Sequence, residues 1–469
     1  MQPTPAPSGG MDITAGKVRV WLCALECIAS LSQPKNQRQA FRPTVSDGLR
    51  GPIVVRAANE PFVYDEERII FLEDHFYTSS EDEISGYLVT NENIEVTTEQ
   101  HKLVADIDFQ PGRQYLLRII NAAAVVPFNF AIDAHRLTVV QADATDVVGN
   151  LTVDGIFVDI GQRYSVLVNA DQPVDRYWMR AIMPITRWRR PLEVLGTVTY
   201  AGADAWLPPT SNLAAEREFL PENGLQLQNQ ISTPAPHRVH RSFVIAWDFH
   251  ADESGRDNSG VTRGWISMNV TRPLTTSDGV TYSAPAVPTL FQIVDGMDPD
   301  ALPDSSIPFW AETDETVELI FMNREFPPHP MHLHGHTVWV LGSGQAAAYE
   351  DIPFDQFKLH NPLRRDTFTV PSGSRDGTIF GWTVVRTIAD NPGVWFLHCH
   401  LEFHIVAGLA MTFVSGAQTV RERGVPPPNR QLCHAFAKWQ ASNANPTLPS
   451  IAAAAAPEVE DEAVLVVQM

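Results

Sequence analysis

Strand-favouring apolar residues recur along this chain in short runs between polar turn residues, not in long helical stripes. Residues 116–120 (LLRII), 128–132 (FNFAI), 137–140 (LTVV), 156–158 (IFV), 164–168 (YSVLV) and 177–179 (YWM) recur at intervals of about 8 to 12 residues with turn residues between them. Short strands at that spacing with turns between them predict a β-sandwich. Strand character returns at 243–245 (FVI) and 317–321 (VELIF), beyond a proline-punctuated stretch running from Leu207-Pro208-Pro209 to Pro234-Ala235-Pro236. The His237-Arg238-Val239-His240 tetrad in that stretch reads as solvated polar surface. No repeat at a solenoid period is evident.

Two polar clusters interrupt the apolar pattern. One is His329-Pro330-Met331-His332-Leu333-His334-Gly335-His336; the other is His398-Cys399-His400, followed by His404 and Leu409. On an extended strand Cys399 faces one way while His398 and His400 face the other, so one tripeptide can serve two metal centres. A thiolate with two imidazoles makes a trigonal site that holds both Cu(I) and Cu(II), and Cys399, His404 and His329 can supply that set. His332 and His334 repeat the alternation, so they can join His398 and His400 at a second copper group behind the first. Zinc fits less well, because the pattern offers one thiolate and no paired C-x-x-C. His336 is expected to orient its loop or bond a backbone carbonyl, and Met411 to pack.

These two segments resemble the carboxyl-terminal copper motifs of multicopper oxidases, with surroundings most similar to fungal laccases. The resemblance implies an all-β chain of consecutive cupredoxin-like Greek-key sandwiches, two complete and the first truncated. It implies His329, Cys399 and His404 as type 1 copper ligands and His332 as a type 2 ligand, with His334, His398 and His400 serving the type 3 pair. Cys399, His404, His398 and His400 are then the residues of the catalytic path. Leu409 occupies the axial position, where a non-coordinating side chain favours Cu(I) and raises the reduction potential. The implied reaction is one-electron oxidation of phenols or aromatic amines at the type 1 copper, entered at the edge of His404, coupled to four-electron reduction of dioxygen to water. A substrate-orienting acid of many laccases falls near Val125, where this chain has no carboxylate. Gly161-Gln162-Arg163-Tyr164-Ser165 resembles a structural motif of the same family and reads as a turn leading into a buried strand.

The resemblance runs from about Asp47 to Phe436. The family's two amino-terminal H-x-H motifs have no counterpart: the first histidine is His75, and H-x-H occurs only at His332/His334, His334/His336 and His398/His400. Half of an eight-histidine oxygen site is therefore expected, and with it little dioxygen consumption. The organisation expected is an atypical segment 1–45, a remnant of the first domain at 46–59, a second domain at 60–205, a linker at 206–240, a third domain with the copper motifs at 241–440 and a disordered tail at 441–469. The apolar stretch beginning at Val20 imitates a signal peptide, but Glu26 interrupts it. Cys433 resembles a cysteine that relatives pair with one in the first domain, and Cys23-x-x-x-Cys27 is a weak pair with no histidine nearby.

Composition narrows the partners. Of 469 residues 44% are hydrophobic, ordinary for a globular chain, and the net charge of −21 carries no basic patch, which argues against nucleic acid and anionic membranes. No apolar run reaches the roughly 20 residues that span a bilayer. A small reducing substrate and dioxygen are the partners implied, and an extracellular location follows from the resemblance; sequons at Asn150 and Asn269 are compatible with it. The runner-up activity is a ferroxidase, which needs carboxylates such as Glu402 or Asp351 beside His404; a one-copper electron-transfer protein is the other alternative.

Overall fold

The computed structural model describes residues 19–22, 50–55, 60–74, 106–143, 145–147, 151–183, 193–208, 219–220, 237–252, 263–270, 279–285, 287–357, 359–360, 362–426, 430–431 and 464–467. Cys23, Cys27, His75, Asn150 and Cys433 lie outside these residues.

The strands assemble into two pairs of sheets. In the first pair, a five-stranded sheet runs in the order Ile156–Val158, Phe128–Ile132, Arg176–Ile182, Glu193–Tyr200, Asp106–Phe109. Its partner is seven-stranded and is built on Glu66–Leu72, Gln114–Asn121, Arg163–Asn169 and Leu137–Ala142. Phe109 of the one sheet stacks on Tyr115 of the other at 4.0 Å between ring centroids, which marks the sandwich interior. The strand Gln114–Asn121 is buried on both faces: Tyr115, Leu117 and Ile119 enter the sandwich core, and the opposite face carries Leu116, Ile120 and Arg118, a fully buried guanidinium bonded to Glu67, Glu60, Gln141 and Ser165. A buried charge is tolerated here because each donor has an acceptor.

The second pair joins a six-stranded sheet, in the order Arg263–Val270, Arg241–Asp252, Thr316–Asn323, Phe380–Ile388, Val338–Ala346, Leu363–Arg365, to a five-stranded sheet. The latter runs Pro308–Ala311, Ala410–Ser415, Gly393–Cys399, His329–Leu333, Thr367–Val370, and carries both histidine-rich segments as neighbouring strands. Phe243 against Phe309 and Phe321 against Phe368, at 5.4 and 5.2 Å, fill the space between the two sheets. His240 is not merely solvated: its backbone N–H donates to Thr316 O and its Nδ1 accepts from Thr316 N, extending the ladder by one residue.

Two short strands lie in the terminal segments. Val464–Val467, within the stretch 441–469, pairs in parallel with the edge of Glu66–Leu72. An unpaired edge is a template for any strand-favouring segment, and the sequence VLVV is one. Arg19–Leu22 likewise pairs antiparallel with Pro52–Val55.

The two sandwiches dock through buried charge. Arg365 donates from Nε and Nη2 to the carboxylate of Asp143 at 3.0 and 3.1 Å, and Arg163 forks onto Asp366 with two bonds of 2.7 Å. Each pair joins one residue from each sandwich, and all four side chains are within a few per cent of full burial. Planar, bidentate pairing makes desolvation of these charges bearable. Asp143 also holds a left-handed backbone, φ +50°, which lets its carboxylate reach Arg365 while accepting from Arg163 N. Replacing Asp143 by Ala should strand the Arg365 charge and cost about 3–5 kcal/mol, with a smaller loss for Asp143→Asn, which tolerates the left-handed region. Urea and thermal unfolding of the two variants measure the difference; equal stability of Asp143→Ala and the parent chain would contradict it.

Candidate metal centre

Register decides what the two histidine-rich strands present. Met331 lies opposite Cys399, His332 opposite His398 and Leu333 opposite Leu397. Residues directly opposite in a sheet share a face, so Cys399 joins the side of 329, 331 and 333, and His398 joins the side of 332 and 334. His334 N donates to Phe396 O and His400 N to Pro330 O, which continues the ladder at both ends.

On the first face, Cys399 Sγ lies 3.6 Å from Nδ1 of His329 and 3.6 Å from Nδ1 of His404, with the two nitrogens 2.9 Å apart. Among the described residues this is the one group of three such donors drawn together tightly enough to hold an ion. The sulfur–nitrogen distances match a trigonal ion with bonds of about 2.0–2.3 Å. Two imidazole nitrogens facing each other at 2.9 Å repel unless they share a proton or a cation, so the donor set fits a bound copper. Burial lowers the pKa of His329 to about 3 and raises that of the Cys399 thiol, so the imidazole is neutral and ready to ligate, while the thiol needs a metal to lose its proton.

His404 reaches the group from the five-residue helix Glu402–Val406, which starts right after the Cys399 strand. The loop that closes it places Leu409 back on the site: Leu409 N donates to His404 O and Cys399 N to Leu409 O. Leu409 and Met411 are both fully buried in the main core. The carboxylate of Glu325 stands 3.2 Å from the outer nitrogen of His329, and the Trp247 ring packs edge-on against the same imidazole at 5.3 Å. His404 is only 3% exposed, so the edge expected to receive electrons is a narrow one.

On the second face the rings of His332, His334, His398 and His400 form a cluster with centroid separations between 4.7 and 5.9 Å. His334 Nε2 and His398 Nε2 are 3.0 Å apart, again a pair that a shared ion relieves. Backbone carbonyls fix the tautomers: Nδ1 of His332 donates to Asp366 O and Nδ1 of His398 to Cys399 O, both at 2.9 Å. A carbonyl only accepts, so each ring keeps its proton on Nδ1 and turns a bare Nε2 to the cluster. His336 stands apart, with its Nδ1 3.2 Å from His334 O and its ring between Trp395 and Phe413.

Three contributors carry no signal in the sequence. Glu325 is four residues before His329, but Pro327 and Pro328 exclude the helix in which that spacing would have meaning. Asp366 and Thr367 support His332, the latter with Oγ1 3.1 Å from its Nδ1, and they stand out only once the strands pair. Of the two carboxylates weighed for the ferroxidase alternative, Asp351 accepts from Ala348 N on a one-turn helix. Glu402 opens the His404 helix, with its backbone N–H donating to Ala124 O.

Comparison with known proteins agrees with this geometry. Two family models, each described as multicopper oxidase, match residues 66–201 and 282–419. Laccase-1 of Fomitopsis schrenkii is 30% identical over 405 residues, covering 82% of this chain and 69% of its own; Laccase-1 of Pleurotus ostreatus is 31% identical, covering 81% and 68%. Among solved structures, Fet3p, a multicopper oxidase that functions in iron import, superposes with a TM-score of 0.69 at 23% identity, over 84% of this chain and 75% of that one. The laccase from Botrytis aclada superposes with a TM-score of 0.68 at 21% identity, over 93% and 84%, and these two likenesses speak for the cupredoxin-type fold. With two domains matched and laccases similar along most of its length, the chain belongs to the multicopper oxidases, as a fungal laccase-like member.

Proposed function

We propose that this chain acts outside the cell on phenolic or aromatic-amine donors, withdrawing one electron at a time at a type 1 copper held by His329, Cys399 and His404; dioxygen is the final acceptor of the family's reaction, and little of it should be consumed by a chain that carries four of the eight oxygen-side histidines. The observation that carries the reading is the back-to-back arrangement of that trio with His332, His334, His398 and His400 across the single tripeptide 398–400. Copper bound there supplies a one-electron couple that protein side chains lack. The chain's own part is to fix ligands and exclude water. Cys399 and His329 are fully buried, and Nδ1 protons are held away from the cluster by carbonyls. His332 would serve the type 2 copper, and His334, His398 and His400 the type 3 pair.

Leu409 would offer copper no donor atom, favouring Cu(I), while the negative charge of the Glu325 carboxylate 3.2 Å behind His329 would favour Cu(II). Near Val125, where the resemblance places a substrate-orienting acid, the sequence has no carboxylate. Val125 is partly buried there, and the nearby Asp74 is closed off, with its two oxygens accepting from Ala124 N and Val125 N. Substrates that are already deprotonated, or that lose a proton to water, suit such a site.

A ferroxidase is the second reading, favoured by Glu325 at 3.2 Å from His329. That carboxylate is 8% exposed and turned to the ligand, not to solvent, so it suits tuning better than capture of a hydrated cation.

Copper-loaded chain should show an intense blue thiolate band that Cys399→Ser abolishes while far-UV circular dichroism is kept. Leu409→Met should lower the potential of that band in a redox titration, and Glu325→Gln should raise it. A phenolic donor should bleach the band faster than iron(II) does; the reverse order would replace the laccase-like reading by the ferroxidase one.

A further inference from the structure

The copper ligands of the second sandwich do not stand on that sandwich alone. His400 follows the last residue of its strand, and the backbone bond from its N–H to Pro330 O leaves the imidazole itself to be oriented by what surrounds it. What it meets is a turn from the other sandwich. Gly161 there has φ +77°, and a Cβ built on it would fall 2.3 Å from Cδ2 of His400, 2.6 Å from Nε2 and 2.7 Å from Cγ. Bare backbone therefore touches the flat of the ring, as only glycine permits.

This turn is stiff. Gly161 N donates to Asn121 O, and Gly161 O accepts from Arg163 Nη1 at 3.0 Å. Asp159 N donates to Gln162 Oε1, Ile160 N to Asp159 Oδ1, and Gln162 N to Asp159 O. Across the interface Asp159 accepts from Thr369 Oγ1 at 2.7 Å, and Arg163 grips Asp366, whose carbonyl takes the Nδ1 proton of His332.

We propose that the turn 159–163 is a positioning element for the oxygen-side copper ligands: Gly161 limits the His400 ring, and Arg163, through Asp366, holds His332 in the tautomer that bares Nε2. The assignment of His400 as a ligand rests on the function proposed above; the contact with Gly161 does not. A ligand ring must be held within about 0.5 Å of its working geometry, and a rigid turn from a separately folded sandwich does this without side-chain entropy. The docking of the two sandwiches thereby becomes a condition for a formed copper site.

A double-mutant cycle on the full copper-free chain tests the contact, using Gly161→Ala, His400→Ala and both together. Gly112→Ala is the control for backbone strain, because Gly112 has φ +82° and open space where a Cβ would go. Gly161→Ala should lower Tm by about 5 °C more than Gly112→Ala, and His400→Ala should remove that excess. If Gly161→Ala does not fold alone, recovery of folding in the double variant supports the contact equally. With histidine labelled by 13C at Cε1, the resonance lost in His400→Ala should shift in Gly161→Ala and stay in Gly112→Ala, while the blue band of the copper-loaded protein keeps its position in both. Additive losses of stability, failure of Gly161→Ala to fold in either background, or an unmoved His400 resonance would overturn the proposal. A normal cycle with no copper bound on the His400 side would instead refute the ligand assignment and leave the contact standing.

Discussion

The pleat of one strand at Cys399 is the constraint on which the rest depends. Because side chains alternate, a cysteine flanked by two histidines cannot send all three to one ion; it must divide them between two faces. Pairing with His329–Leu333 in the observed register then doubles each half. Cys399 meets His329, and His398 meets His332 and His334. A slip of one residue would exchange the faces and destroy both sets at once. The surrounding core, with Met331, Leu333, Leu397, Leu409 and Met411 buried around the strands, is what forbids that slip.

The second constraint is the docking of the two sandwiches. It is polar where it touches the site. Arg365 with Asp143 and Arg163 with Asp366 are buried ion pairs whose value for net stability is modest but whose loss on one side is costly. Such pairs fix position, since a bidentate fork tolerates little sliding. A related contact lies beside His404, where Glu402 N, at the start of the His404 helix, donates to Ala124 O. That loop is in turn pinned by Asp74, whose carboxyl is pushed up by burial in spite of bonds from Ala124 N and Val125 N and the neighbouring Arg50. The histidine-bearing segments on both faces of Cys399 thus lean on the neighbouring sandwich.

Much of this was legible in the chain. Strands expected at 116–120, 128–132, 137–140, 156–158, 164–168 and 177–179 fall within strands of the structure, because short runs of strand-favouring residues bounded by turn residues are a local property. The termini were less legible. The VLVV of 464–467 is too short and too far from its partner for any local pattern to reveal a pairing with Glu66–Leu72. Arg118 and Arg180 sat in apolar runs as apparent exceptions; their acceptors, Glu67 and Glu60 for one and Asp133 and Glu193 for the other, are distant in sequence.

By itself, then, the sequence determined the donor types, their division at Cys399 and the family they resemble, since ligand chemistry and strand period are both written in consecutive residues. Tertiary structure alone decided that Glu325 stands behind His329, that Asp366 and Thr367 set the tautomer of His332, and that Gly161 faces the ring of His400. These contacts, apart from the short step from Glu325 to His329, join residues tens to hundreds of positions apart. The last exists only because two separately built cores press their surfaces together, and the others because strands distant in the chain pair within one sheet; no local periodicity encodes which residues will then meet.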